Sequence, residues 1–207
     1  MPNLKLTYFD FDGGRGEPAR LALYIGGVPF EDHRVNPKEW PEHRERMPFL
    51  ALPILDVDGK VVAQSNSITR YVGKLAGLYP EDALQALLCD EAMDAAEDIG
   101  SRIANTMFLP EEAKKRAREE LIDSHLKRFL EQLQARLQAA GGEYFADKRL
   151  TIADLKVYML VRWLRSGALD YIPKDLVDRV APALARHFDR VASHPKIAEY
   201  YARRKVA

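Results

Sequence analysis

Two short runs in this chain carry groups able to hold a peptide-like molecule. Leu52-Pro53 stands directly before Ile54-Leu55-Asp56-Val57. An X-Pro bond reaches the cis form at a cost of only about 0.5 to 1 kcal/mol. A cis bond here would turn the chain sharply and present the Leu52 N–H and C=O outward, disposed to pair with an extended peptide as an added strand does. Taken alone, a Leu-Pro pair reads first as a trans proline that starts a strand. Gln64-Ser65 follows, where an apolar run gives way to a helical pattern. Ser65 can cap that helix, or can turn its hydroxyl and backbone N–H toward an anion such as a carboxylate. Two residues by themselves favour capping, with Gln64 exposed. Cys89 is the one cysteine, so no intrachain disulfide, cysteine-based zinc site or Cys-x-x-Cys couple can form within the chain.

The surrounding elements decide how these runs are read. Leu4 to Phe9 has the pattern of a strand, and Glu17-Pro18 opens a helix through Ile25 that Gly26-Gly27 ends. Phe30 to Val35 suits a second strand, separated from the first by enough chain for the helical crossover that joins parallel strands. Ile54 to Val57 and Lys60 to Ala63 flank Asp58-Gly59, a pair that accepts the positive φ angles of a type I′ hairpin turn. A helix over 65–75 follows. From residue 83 onward the chain reads as helices: Leu84 to Met107, Glu111 to Ala139, one opened by Thr151-Ile152-Ala153-Asp154 as a capping box, one near Leu176 to Val191, and Lys196 to Arg204. The spacing therefore predicts an α+β chain: a thioredoxin-like βαβ-ββα domain over 1–77, a linker over 78–82 and an all-α domain over 83–207. In that setting the cis, ligand-facing reading of Leu52-Pro53 takes precedence.

Bulk properties narrow the field of functions. The 207 residues carry 31 Lys plus Arg and 31 Asp plus Glu, so no basic field exists to draw nucleic acid or anionic lipid. No apolar run approaches the roughly 20 residues of a membrane span, and the N-terminal residues do not read as a secretory signal. A soluble, cytoplasmic protein that binds neither nucleic acid nor membrane is expected.

The segments LTYF, GRGE, EWPEHRERMPF, LPILDVDGK and AQSNSITRY together resemble the sigma-class glutathione transferases, most closely their hematopoietic prostaglandin D synthase branch. The likeness is strong across the N-terminal domain and continues more weakly through DEAMDAAED, LTIADL and the final helices. It implies an enzyme that uses glutathione as co-substrate, with no prosthetic group and no metal, and that acts as a homodimer on small hydrophobic electrophiles.

Carried over by position, the resemblance puts the catalytic tyrosine at Tyr8. Its phenol would donate a hydrogen bond to the glutathione sulfur and favour the thiolate. Arg15 would support it, in a loop one residue longer than the family's, and flanking glycines allow close approach. Trp40 and Arg44 would clasp the glycine carboxylate, with Arg44 in place of the family's Lys. Ala51, Leu52 and Pro53 would pair with the peptide backbone, although Leu50-Ala51 replaces the family's Gly followed by Gln or Lys. Gln64 and Ser65 would hold the γ-glutamyl end, and Asp98, supplied by a partner subunit, its amine. Glu97, where some relatives place a metal-binding aspartate, reads as part of a solvated helix face. The electrophile's pocket is assigned to residues 11–14, to Ala104, Met107 and Phe108, and to the C-terminal tail.

Two other readings share this scaffold: glutathione-dependent isomerisation, in which glutathione is regenerated, and non-catalytic binding. A thioredoxin-like disulfide reductase is disfavoured because no cysteine follows the first strand.

Overall fold

A computed structural model of the chain describes residues 1–204. Its first packed unit comprises Met1–Tyr79 together with the segment from Pro195 onward, and its second Pro80–His194.

The first unit is built on a four-stranded sheet of β1 (Leu4–Phe9), β2 (Glu31–Val35), β3 (Ile54–Val57) and β4 (Lys60–Ala63), ordered β2-β1-β3-β4. β1 and β2 run parallel across helix α1 (Glu17–Ile25), while β3 and β4 are antiparallel to their neighbours. The hairpin turn has Asp58 at φ 50° and Gly59 at φ 86°, the positive pair that a type I′ turn needs. Pro18 in the first turn of α1 costs no hydrogen bond, because that N–H has no intrahelical partner. Helix α1 packs against α3 (Ser65–Leu75) and against α10 (Pro195–Arg204). The last helix, grouped by sequence with the all-α part, thus packs with the sheet-bearing unit. A short helix α2 (Trp40–Arg44) and a 3₁₀ turn (Pro48–Leu50), neither legible as an element beforehand, lie between β2 and β3.

The second unit is all-helical among its described residues. Helix α4 (Ala83–Ala104) is capped by Asp82, whose carboxylate accepts the Gln85 N–H at 2.9 Å. The stretch expected as one helix from Glu111 to Ala139 is α5 (Glu111–Leu121) and α6 (Lys127–Ala139) joined by a π-helical turn over Ile122–Leu126. There the Ser124 hydroxyl donates to the Glu120 carbonyl at 2.8 Å and competes with the α-helical ladder. Helix α7 (Ile152–Arg165) is buried along nearly its whole length and packs against α4 and against the helix over Pro182–Ala192. The helix expected near Leu176 to Val191 is divided into α8 (Leu176–Val180) and α9 (Pro182–Ala192). Pro182 lacks an N–H and its ring forces Ala181 out of helical geometry, to φ −139° and ψ 64°.

Candidate functional site

Strand register gathers the residues singled out from sequence. Thr7 of β1 pairs with Ile54 of β3, which pairs with Ala63 of β4. The next residues outward, Tyr8, Pro53 and Gln64, therefore share one end of three adjacent strands. The Leu52–Pro53 peptide is cis, and no backbone hydrogen bond among the described residues engages the Leu52 N–H or C=O. Gln64 sits at φ 77°, exposed, and delivers the chain into α3, whose first residue Ser65 is buried. Tyr8, Leu52, Ile54, Val35 and Ala63 form one apolar cluster, with Phe9, Trp40 and Met47 packed on it. Ala51 is extended and exposed beside Leu52.

Tyr8 is the chemical centre of this cluster. It is 6% exposed, and its phenol oxygen accepts the backbone N–H of Arg15 at 3.0 Å. A phenol has one O–H to donate, and accepting a hydrogen bond polarises that O–H toward a stronger donor. The contact depends on the glycines that flank Arg15. A Cβ on Gly14, which sits at φ 65°, would lie 2.4 Å from Tyr8 Oη, and one on Gly16 would lie 2.4 Å from Tyr8 Cγ. Neither position can take a side chain without moving the ring. Gly16→Ala should therefore cost about 1 to 3 kcal/mol through overpacking as the Tyr8 ring is displaced. Urea unfolding of the purified variant checks this.

The arginine whose guanidinium lies near Tyr8 is one that sequence reasoning missed. The Arg20 side chain is fully buried, with its guanidinium carbon 5.6 Å from the Tyr8 ring centroid. It donates to Asp32 at 2.8 Å, to Glu17 at 3.2 Å, and to the carbonyls of Phe11 and Phe9 at 3.1 and 3.2 Å. The guanidinium thus meets the ring face at cation–π distance while its N–H groups are taken up by carboxylates and carbonyls, which fixes the ring's position. Burial outweighs the neighbouring Arg20 and lifts the Glu17 carboxyl above its ordinary value. The available signal was Glu17 and Arg20 three residues apart on a helix whose other early residues are apolar.

The remaining candidates are placed as follows. Trp40 opens α2 half-buried, edge-on to Phe9 at 5.4 Å, and Arg44 is exposed at the end of the same helix. Asp98 is exposed on α4 in the second unit. Glu97 is not simply solvated: it accepts Lys156 Nζ at 2.6 Å and the Ser101 hydroxyl at 3.1 Å. An internal cation thus occupies this carboxylate. Among the described residues no group of three His, Cys, Asp or Glu is placed to hold a metal ion. Cys89 is buried, and burial pushes its thiol up to about 11, so at neutral pH it is no nucleophile.

Residues 4–74 match the family model described as the N-terminal domain of glutathione S-transferase, and residues 97–204 the C-terminal domain. The chain belongs to the glutathione S-transferase family. It is 32% identical to Glutathione S-transferase 1 of Ascaris suum, over 99% of this chain and 98% of that protein. The structure of prostaglandin synthase D of Nilaparvata lugens superimposes with a TM-score of 0.86 at 32% identity, covering 98% of each chain. That of the Fasciola hepatica sigma-class transferase does so at 0.82 and 26%, covering 98% of this chain and 97% of the other. The chain has the glutathione S-transferase fold, a mixed sheet with helices followed by a helical C-terminal part, as the resemblance implied. No helix of the described residues is long and apolar enough to cross a membrane.

Proposed function

We propose that the chain is a glutathione transferase that joins the glutathione thiolate to small hydrophobic electrophiles, with Tyr8 donating its O–H to the sulfur. The observation that carries this reading is the Tyr8 hydroxyl, held at 3.0 Å by the Arg15 N–H at the sheet end it shares with Leu52-Pro53 and Gln64-Ser65. A free cysteine thiol has a pKa of about 8.5, so little of it is thiolate at neutral pH. A donor aimed at sulfur lowers that value without acting as a base.

In this reading the unclaimed Leu52 N–H and C=O pair with the glutathione backbone. Gln64 and the start of α3 receive the γ-glutamyl carboxylate, and Trp40 and Arg44 the glycine carboxylate. Ala51 brings backbone only, which leaves this chain without the side-chain contact that a Gln or Lys would add. Glutathione is co-substrate and no prosthetic group is required. The working form is a cytoplasmic homodimer in which Asp98 of the partner subunit meets the γ-glutamyl amine, on the two-domain plan of 1–77 and 83–207. The likeness to a prostaglandin synthase favours glutathione-dependent isomerisation as the second reading.

The test is turnover of a chloronitroaromatic electrophile with glutathione, alongside retention on immobilised glutathione. Turnover with retention is expected, and retention without turnover would point to a binding protein instead. Asp98→Ala should weaken glutathione binding about tenfold, the scale of one charge-assisted hydrogen bond, with the dimer retained. An unchanged Kd removes Asp98 from the site.

A further inference from the structure

Between Tyr8 and Arg15 the chain runs through Asp10-Phe11-Asp12-Gly13-Gly14. A loop ending in two glycines has little intrinsic order, yet it must hold the Arg15 N–H at 3.0 Å from the Tyr8 hydroxyl. The main chain at its start is tethered, because Arg20 takes the Phe9 and Phe11 carbonyls and the Asp10 N–H donates to the Val35 carbonyl at 2.9 Å. Its two acidic side chains are tethered separately. Arg34 of β2 reaches Asp10 and Asp12, each at 3.4 Å. Arg204, 192 residues along from Asp12, reaches Asp12 through Nε at 2.9 Å and Asp10 through Nη2 at 3.6 Å.

Arg34 is itself fixed. It donates to Asp32 at 2.7 Å and to the Tyr200 hydroxyl of α10 at 3.2 Å, and its side chain is only 12% exposed. Burial, and next the Glu17 carboxylate, push the Tyr200 phenol above its ordinary value, which keeps that hydroxyl neutral. Asp32 also carries Arg20, whose guanidinium lies near the Tyr8 ring. The charges around the loop, Glu17, Asp10, Asp12 and Asp32 with Arg20, Arg34 and Arg204, thus make one connected system that runs from the last helix to the ring.

We propose that α10 acts as a strap on this loop, with Asp12 and Arg204 as positioning residues that keep the Arg15 N–H on Tyr8 and thereby set the acidity of the bound thiol. This rests on the reading of Tyr8 as the donor to sulfur. A single exposed ion pair contributes little, but here two arginines are shared between two carboxylates. Asp12 and Arg204 are 28% and 32% exposed and Arg34 less, so solvent screens the system only in part. When the strap is lost, the glycines let the loop relax and the Tyr8 O–H loses its fixed direction.

The experiment follows the ultraviolet absorbance of the bound glutathione thiolate against pH in the wild type, Asp12→Asn, Arg204→Gln, Arg204→Lys, Arg203→Gln and Tyr8→Phe, with kcat and KM measured across the same range. In Asp12→Asn and Arg204→Gln the bound thiol should titrate about one unit higher, with kcat/KM about threefold lower at neutral pH and the loss shrinking as the thiol ionises. KM for glutathione should change little, and Arg204→Lys should recover most of the shift. Arg203→Gln, which alters a residue paired with Glu199 on the same helix, should match the wild type. Loss of rate at every pH with an unmoved thiol titration would reduce the strap to general stability and overturn the proposal. So would a shift in Tyr8→Phe with none in Asp12→Asn and Arg204→Gln. A thiol that titrates alike in Tyr8→Phe and the wild type would overturn the reading of Tyr8 itself.

Discussion

Tyr8→Phe should lower kcat/KM for glutathione conjugation about 10- to 100-fold at pH 7 and leave the protein folded. The substitution removes one hydroxyl from a residue whose ring packing against Phe9 and Phe11 stays in place. Two effects set the size. If the Tyr8 hydrogen bond lowers the bound thiol by about two units, the thiolate share at neutral pH rises roughly a hundredfold. The nucleophilicity of a thiolate falls as its pKa falls, with a Brønsted slope of about 0.4 to 0.5, so roughly tenfold of net gain survives. Alignment of the sulfur by a fixed donor adds up to about another tenfold, less than the roughly 10² to 10³ that a donor to a developing oxyanion supplies, because the thiolate is already charged before it attacks.

The sign with pH follows from the direction of the shift. A lowered thiol pKa matters most below the free value, and the gap between wild type and Tyr8→Phe should shrink above about pH 9 to the part that alignment supplies, since both thiols are then largely ionised. A constant ratio from pH 6 to 10 would instead mean that Tyr8 acts on the electrophile or on folding.

Asp154→Ala should destabilise the protein by about 3 to 5 kcal/mol, the scale of stripping one partner from a buried charged network. Asp154 is fully buried at the start of α7. One oxygen accepts the Thr151 N–H at 2.7 Å and the Thr151 hydroxyl at 2.9 Å; the other accepts the Phe145 N–H at 3.0 Å and meets His187 Nε2 at 2.9 Å. His187 is buried as well, and its Nδ1 has no hydrogen-bond partner among the described residues. Truncation to alanine would therefore strand two backbone donors, a hydroxyl and an imidazole in the core at once. Asp154→Asn keeps an acceptor at one position and should lose less. The comparison is made by urea unfolding, where a midpoint for Asp154→Ala close to that of the wild type would remove the network from the account. Because stability of whole domains is itself about 5 to 15 kcal/mol, the alanine variant should also express poorly.

The sheet-bearing unit was more legible in the sequence than the helical one, for local reasons. Asp58-Gly59 and the Glu17-Pro18 helix start are decided by residues a few positions apart, and the structure places both where spacing put them. Thr151 and Asp154 behave the same way, since three residues fix the capping box. The π turn at Ile122–Leu126 and the break at Pro182 were not foreseen. Apolar periodicity runs through both, and it reports the buried face rather than the backbone ladder.

At the site, Leu52-Pro53 and Gln64-Ser65 were readable because a hairpin and a helix start flank them. The setting of Tyr8 was not. Its packing against Gly14 and Gly16, its hydrogen bond from a backbone N–H and its neighbour Arg20 all depend on chain folding back across a turn. The link from Asp12 to Arg204 spans nearly the whole sequence, where no local pattern reaches.

The central claim is that this chain makes the glutathione thiol acidic through Tyr8. It is tested most directly by titrating the ultraviolet absorbance of the thiolate of glutathione bound to the wild-type protein. The account predicts a midpoint at least one unit below the roughly 8.5 of a free cysteine thiol, and its return toward that value in Tyr8→Phe. A wild-type midpoint at about 8.5, with glutathione fully bound, would contradict it.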